Sequence, residues 1–455
     1  MNSVGPVDVR APYPEVAKSK AAAVWRDFQP RATPASPADR TLIHAFLVSI
    51  FQQPSSAEFH AQTEDPLYEW TDRLLVKRGS QIVSHLRLTN HEMQFGELPL
   101  PFASIHDLAT LPEYRGRGCA NELLRVADEQ MFAGGALFGV LHTHHPEWFA
   151  QRGWVVFGGH SYSEAGARDI LSKLNDQTTR RPTSWIVDES SKPALNIRLW
   201  RHVEEAALHR LYAENTAGSF GPLVRSEAHW RWLIGRHGYD RIYVAIDGPD
   251  KLELDEQLKP IVGYAAVKDG RILELMTSAS CPEAAAQLLG RACGDAIEGD
   301  HHPVRLDAPR DHSLHRLLAE AGGQFHGGLS AQGMVWMVKL LDPIGLLRRL
   351  GPLFHRRAKQ AQMSLPSELG IQFDNEKLRI VLSRRTTRID SGKLGRSYLC
   401  MRRKQLAQLL LGHLDVSEAI APERLTASTR VAFENAQRLF PRTAQWFPPL
   451  DGLPC

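Results

Sequence analysis

The sequence predicts a mixed α/β (α+β) chain: two successive mixed-sheet units followed by a small α+β domain. Three observations carry this. Ser104 to Thr110 holds Ile105, Leu108 and Ala109 in a short strand-like run that stops at Pro112, followed by a basic loop, Arg115-Gly116-Arg117-Gly118, and then by apolar residues at 120, 123, 124, 127 and 131. That last spacing is one face of a helix, so the unit reads strand, glycine loop, helix. Second, strand and helix signals between 195 and 341 repeat this order weakly, without a glycine loop. Third, the pattern changes near 342, where a helix is followed by short strand runs and two more helices.

Composition narrows the class. A chain of 455 residues has room for two to four domains, and 43% apolar with 23% charged residues is ordinary for a globular protein. A net charge of +3 gives no electrostatic reason to expect nucleic acid as a partner. Five cysteines stand far apart at 119, 281, 293, 400 and 455, with no Cys-x-x-Cys pair. This usage fits reduced thiols in a cytoplasm rather than a disulfide framework. No apolar run approaches the ~20 residues of a membrane span, and the N-terminus lacks a signal-peptide core. The expectation is a soluble cytoplasmic protein, with neither membrane nor nucleic acid as partner.

In chain order, residues 1–38 are rich in Pro, Ala and Ser and read as a mobile tail. Residues 39–58 carry Leu42, Phe46, Leu47, Ile50 and Phe51 at helical spacing. Strand runs follow at 74–77 and 81–88, and a hairpin at 92–101 leads into the Ser104 strand. Ala136 to His142 is the next strand, and Pro146 to Trp154 a short helix closed by Gly153. This first unit is drawn as 39–175. Residues 176–194 are polar, contain Pro182 and Pro193, and read as a linker. The second unit, 195–341, has helices near Val203–Tyr212 and Trp230, strands at Arg241, Pro260, Arg271 and Val304, and helices from Cys281 and His315. The last domain, 342–455, ends in a Pro-rich tail with Pro448, Pro449 and Pro454.

The glycine loop has a chemical use. Amides at a helix start find no partner within the helix, and with the helix dipole they form an anion site. Gly116 and Gly118 let the backbone approach a ligand closely, and Arg115 and Arg117 add charge. The ligand expected is a phosphate or pyrophosphate. No Lys-Ser or Lys-Thr follows the glycine as in a P-loop, and the three spaced glycines of a dinucleotide fingerprint are missing.

Arg115, Gly118 and Ala120, preceded by Leu111-Pro-Glu-Tyr114, resemble motif A of the GNAT superfamily of acyl-CoA-dependent acyltransferases. The order of helix, strands, motif A, strand, short helix and strand is also similar to that fold. The three-part layout, with the junction Trp336-Met-Val-Lys-Leu-Leu-Asp-Pro343, resembles the enhanced-intracellular-survival (Eis) family over about residues 39–455. The resemblance implies tandem GNAT-like domains, the second having lost its phosphate site, and a sterol-carrier-protein-like C-terminal domain. It implies acetyl-CoA as acyl donor, with the pyrophosphate on Gly116, Arg117, Gly118, Cys119, Ala120 and Asn121 beside Arg115. The pantetheine arm would pair with Leu108, Ala109 and Thr110, and His144 and His145 would fall beside the cofactor arm. A hexamer is implied as well.

Transfer to an amine needs a held donor, a base for the amine proton, a donor to the oxyanion and an acid for the departing thiolate. The amide near Ala109 or Thr110 serves the oxyanion. The tyrosine acid of the resembled enzymes corresponds to Phe149, which has no hydroxyl. His142, His144 and His145 precede it; the plain reading makes them loop or cap residues, the functional one a proton donor. The family's terminal carboxylate base corresponds to Cys455, with a frayed terminus as the plain alternative. Cys119 sits in the phosphate loop and is not read as a nucleophile. His312 and His315 lack a third ligand at metal-binding spacing, so no metal is expected. The arginine pairs at 348, 356, 384 and 402 read as solvated faces, and Trp230 and Trp232 as core or interface. The C-terminal apolar residues read as that domain's own core rather than a lipid cavity. The function expected is an acetyl-CoA-dependent N-acetyltransferase acting by direct attack on a small-molecule or lysine amine. The alternative is a CoA-binding or scaffolding protein that has lost catalysis.

Overall fold

The computed structural model describes residues 28–158, 161–179, 195–248, 260–327, 335–420 and 424–452. The chain opens with β1 (Ala32–Pro34), α1 (Arg40–Phe51) and α2 (Ser56–Thr63). The helix expected over 39–58 is two helices, because Gln52 turns left-handed (φ 58°) and Ser55 caps the second by accepting from Glu58 N. Next come β2 (Arg73–Arg78), β3 (Gln81–Phe95), β4 (Leu98–Thr110), α3 (Cys119–Ala133), β5 (Phe138–Thr143), α4 (Pro146–Ala150) and β6 (Val155–Gly158). The middle of the chain runs β7 (Tyr162–Ala165), α5 (Ala167–Thr179), β8 (Asn196–Leu199), α6 (Glu205–Thr216), β9 (Phe220–Leu223) and α7 (Glu227–Gly235). Then follow β10 (Arg241–Ile246), β11 (Ile261–Lys268), β12 (Arg271–Thr277), α8 (Ala284–Glu298), β13 (Val304–Asp307), α9 (Leu314–Glu320), β14 (Gln324–His326) and β15 (Val335–Leu340). The last part holds α10 (Pro343–Gln360), β16 (Ser367–Phe373), β17 (Glu376–Leu382), β18 (Thr387–Ser391), β19 (Tyr398–Met401), α11 (Arg403–Leu410), α12 (Val416–Ile420), β20 (Leu425–Ala427) and α13 (Arg430–Leu439).

Three mixed sheets result. The first has the order β1-β2-β3-β4-β5-β15-β6, with β9 also on β3; the second is β14-β7-β13-β12-β11-β10-β8; the third is β18-β17-β16-β19-β20. In the first sheet β4 and β5 are parallel and joined through α3; in the second β12 and β13 are parallel and joined through α8. The repeat read from the sequence is therefore a repeat of topology.

Sheet membership crosses the divisions drawn from the sequence. β15, from the far end of the second unit, lies between β5 and β6, pairing Val338 with Val140 and with Val155. β7, from the first unit, lies between β13 and β14. Each of these sheets completes itself with a strand from the other stretch of chain. A short apolar run signals a strand but not its neighbour, so the division between the first and second units was drawn between sheet partners. Part of the expected tail is structured too: Ala32, Thr33 and Pro34 pair with Val76, Leu75 and Leu74. Of the expected linker, 176–179 continue α5, and 180–194 lie outside the described residues.

The first sheet is covered on both faces. Against one, α3 buries Cys119, Leu123, Leu124, Ala127 and Met131 over Leu86, Ile105 and Leu141. Cys119 takes the inward place expected of Ala120. Against the other, α10 packs Leu346, Leu347, Leu350 and Phe354 over Phe102, Phe138, Val140 and Val338, and the same core continues into the third sheet. The C-terminal apolar residues thus fill a core shared with the first sheet.

Candidate active site

β4 begins as an ordinary partner of β5, with Phe102, Ala103, Ser104 and Ile105 opposite Phe138, Gly139, Val140 and Leu141. The paired register ends there. At the same level the β3–β4 ladder slips between His85 and Arg87, and Asp107 adopts φ 52°. This is a bulge, which bends a strand and re-aims the side chains beyond it. The fork holds a cleft of about 990 Å³, bordered by His106 to Thr110 on β4, the glycine loop, and His142 to His145 at the end of β5.

The loop sits at the mouth of the fork. A short 3-10 turn, Pro112–Tyr114, anchors it by burying the Tyr114 ring, which meets Phe28 edge-on at 5.7 Å. Gly116 (φ 73°) and Gly118 (φ 85°) then turn the chain so that Gly118 caps α3. Both lie in the left-handed region that favours glycine. Arg115, Gly116, Gly118 and Asn121 are exposed, Arg117 and Ala120 half-buried and Cys119 buried, so the loop stands at the surface over a partly buried first helical turn. A Cβ on Gly116 would meet no atom within 4 Å, and one on Gly118 would find Pro30 at 3.6 Å. A fifteen-residue helix entered from a surface loop with a carbon-free approach fits a diphosphate. Arg115 Nε donates to Thr110 O (3.3 Å) and Arg117 Nε to Glu113 O (3.0 Å), which fixes both chains near the loop. The Cys119 thiol points into the core, 4.0 Å from Tyr114 O, and burial pushes its pKa up. It is a neutral thiol at pH 7, in keeping with its exclusion as a nucleophile.

Of the sequence-predicted residues, Leu108, Ala109, Thr110, Arg115, Gly116, Gly118, Cys119, Ala120, Asn121, His144 and His145 all border the cleft. His144 and His145 are exposed, and His145 caps α4, its amide donating to Thr143 Oγ1 at 2.9 Å. Phe149 also borders the cleft; it is 8% exposed and stands edge-on to Trp148 at 4.8 Å. Cys455 lies outside the described residues, and the described tail ends at Gly452.

Sequence reading missed several lining residues. Arg152 lies over the Trp148 ring at 3.6 Å and donates to Asn121 Oδ1 at 2.7 Å, tying α4 to the first turn of α3. Ile50 and Phe51, at the end of α1, also border the cleft. His106 and Asp107, which border the cleft at the bulge, were missed as well.

Electrostatics at the bulge is dense. Asp107 Oδ2 meets Arg87 Nε at 3.0 Å and Arg73 Nη1 at 4.0 Å, and Asp107 O bonds His85 Nδ1 at 2.9 Å. Burial opposes ionisation of Asp107, but Arg87, His85, His106 and Arg73 outweigh it and hold its carboxyl well below the usual range. Arg73, fully buried, also bonds Tyr68 OH (3.1 Å), Gln62 Oε1 (3.0 Å) and His85 Nε2 (3.1 Å). His106 bonds Thr89 Oγ1 at 2.9 Å, and burial with Arg87 keeps it neutral. His315 is engaged at both ring nitrogens, by Ser163 Oγ (2.8 Å) and Pro309 O (2.9 Å). Among the described residues no group of three His, Cys, Asp or Glu could hold a metal ion, and no helix is long and apolar enough to cross a membrane.

Residues 31–157 match the family model of the acetyltransferase (GNAT) domain. Comparison with curated proteins finds no match. Among solved structures, the chain is similar to a GCN5-related N-acetyltransferase from Kribbella flavida (TM-score 0.67, 17% identity, covering 92% of this chain and 97% of that one). It is similar to another from Anabaena variabilis (0.68, 17%, 92% and 99%) and to Eis1 from Mycobacterium abscessus (0.59, 15%, 92% and 99%). At such identities the likeness is one of fold. The mixed α/β architecture expected from the sequence is the observed one, and its first part is similar to the GNAT acetyltransferase domain.

Proposed function

We propose that this chain is an acetyl-CoA-dependent N-acetyltransferase that moves an acetyl group to a primary amine by direct attack in a ternary complex. One observation carries the reading: an open glycine loop at the start of α3 stands at the mouth of the β4–β5 fork. The GNAT match over residues 31–157 supports acyl-CoA use. When bound, the donor supplies an activated thioester. The amides of 116–121 hold its diphosphate, with Arg115 and Arg152 nearby, and Leu108 to Thr110 pair with its arm. The amide of Ala109 or Thr110 donates to the carbonyl oxygen as negative charge develops. The terminal carboxylate of Cys455, which lies outside the described residues, takes the amine proton. We extend the proposal to an Eis-like layout, with a GNAT-like second unit and a sterol-carrier-like last domain, to a hexamer, and to a cytoplasmic location suggested by cysteine usage. The acceptor amine is a polyamine, an aminoglycoside-like molecule or a protein lysine.

Phe149 favours a second reading, a CoA-binding scaffold that has lost catalysis. Isothermal titration with acetyl-CoA followed by thiol release over an amine panel separates the two: binding without turnover of any amine establishes the scaffold. Gly118→Glu, which charges the cradle, abolishes acetyl-CoA binding, whereas Gly118→Asn, which tolerates the left-handed backbone, keeps most of it. Unchanged affinity in the glutamate variant would remove the loop from the site.

A further inference from the structure

The tail after α13 is strapped across the molecule. Thr443 N donates to Gly412 O (2.8 Å), Trp446 N to Phe220 O of β9 (3.0 Å), and a 3-10 turn, Pro449–Asp451, comes next. That turn ends in a buried charge cluster. Arg225, which precedes α7, bonds Asp451 Oδ1 through Nε (2.6 Å) and Glu274 of β12 through Nη2 (2.5 Å) and Nη1 (3.1 Å). All three side chains are 0% exposed. The guanidinium lies over Tyr212 (3.8 Å) and Trp230 (4.5 Å), and Tyr264 OH donates to Glu274. Two carboxylates around one guanidinium away from water form a seat in which loss of Arg225 strands buried charge, and truncation of Asp451 leaves the buried Arg225 Nε–H without its acceptor.

The seated turn meets the cleft through rings. Phe447, four residues before Asp451, stacks on Trp336 (4.8 Å, 24°), and Trp336 stacks on His142 (4.9 Å, 21°). Trp336 is the β15 residue paired in register with His142 of β5. His142 borders the cleft and is the first residue past the Ile105–Leu141 pair, where β4 and β5 part. The charge cluster on the second sheet thus reaches the apex of the fork through a three-ring column.

We propose that Arg225, Glu274 and Asp451 are positioning residues that, by seating the tail, hold Phe447 and Trp336 so that His142 keeps the apex of the cleft in its working shape. The inference rests on the acetyltransferase reading for its kinetic consequence but not for its structural one. The test uses the full chain with Asp451→Ala, Asp451→Asn and Phe447→Leu. It reads acetyl-CoA affinity by titration, kcat by thiol release, and amide hydrogen exchange over 138–145 and 119–133. Asp451→Ala lowers kcat about tenfold or more and Phe447→Leu about threefold, while acetyl-CoA affinity stays within about twofold. Exchange quickens over 138–145 and is unchanged over 119–133. Asp451→Asn, which keeps an acceptor for Arg225, stays close to the parent. Parent-like exchange over 138–145 in the alanine variant overturns the proposal, and so does loosening spread equally over both segments. Should Asp451→Ala not fold, Phe447→Leu decides by the same two segments. Should the parent turn over no amine, the activity reading fails while the exchange comparison still decides the column.

Discussion

Phe149 puts carbon where the resembled acetyltransferases place a phenolic hydroxyl. Its ring borders the cleft and is held edge-on between Trp148 at 4.8 Å and Trp154 at 6.2 Å. The cage fixes the ring's orientation, so a tyrosine there inherits a defined direction. A thiolate leaving group has a pKa near ~8.5 and departs without help, but a positioned acid speeds such a step. Phe149→Tyr is therefore expected to raise kcat for thiol release about tenfold while leaving the acetyl-CoA KM unchanged. A matched loss of kcat and stability would mean that the extra oxygen has no room, and would remove this position from the chemistry. At the residue scale the sequence was most legible where a residue type has one physical use. Gly116 and Gly118 both adopt positive φ, as a glycine loop demands. Arg152 was illegible because its role depends on a ring and an amide contributed by two different helices.

Among the elements, the bulge in β4 decides whether there is a cleft at all. A straight β4 would go on pairing with β5 past Ile105, and the fork would close. Asp107 holds the kink in two ways: it accepts φ 52°, and its carboxylate ties the bent segment to Arg87 at 3.0 Å. The two contributions can be separated. Asp107→Gly keeps the backbone freedom and loses the ion pair; Asp107→Val loses both, and a β-branched residue is strained at positive φ. The valine variant is expected to be about 1–3 kcal/mol less stable than the glycine variant in urea. It should also bind acetyl-CoA more weakly. Equal stability of the two would show that the backbone at 107 is not strained. Strand and helix positions were largely legible from period and punctuation, as α3 and the β16–β17 hairpin illustrate. The bulge was not, because it arises from a register slip against β3 that no local pattern in β4 specifies. Neither was the partner of β15, since a buried central strand has apolar residues on both faces and gives no sign of its neighbours.

Across the whole molecule, two consequences arise from how the parts are joined. The first concerns pH. Burial, then Arg73, lower the pKa of His85 to about 3, and burial, then Arg225 and Arg236, lower that of His229 to about 3. His85 is 0% and His229 3% exposed. Unfolded, each titrates near ~6.5, so as the pH falls the unfolded chain takes up protons that the folded chain refuses. The stability this confers is complete above about pH 6.5 and is lost as the pH falls toward 3, at roughly 1.4 kcal/mol per pH unit for each ring. Urea unfolding at about pH 7, 6 and 5 is expected to show that decline, to which His91, His106 and His312, also pushed down chiefly by burial, add, with His229→Phe removing only its own share. Identical midpoints at the two ends of that range would contradict it. The second consequence is that the first two sheets cannot be parted. β15 supplies the strand between β5 and β6, and β7 the strand between β13 and β14. A fragment ending at 179 keeps β5 and β6 but lacks the strand between them, together with Trp336, Met337 and Val338, which are almost wholly buried in its cores. Such a fragment is expected to show no cooperative unfolding and no affinity for acetyl-CoA. Expressed together with residues 195–455, it should be recovered as a complex, because each piece carries a strand that the other's sheet requires. The complex should bind acetyl-CoA within about tenfold of the intact chain, the difference reflecting association of two pieces in place of one. A fragment of 1–179 that folds and binds on its own would mean that β15 is dispensable to the first sheet, and the acyl-donor site would then belong to one contiguous stretch of chain.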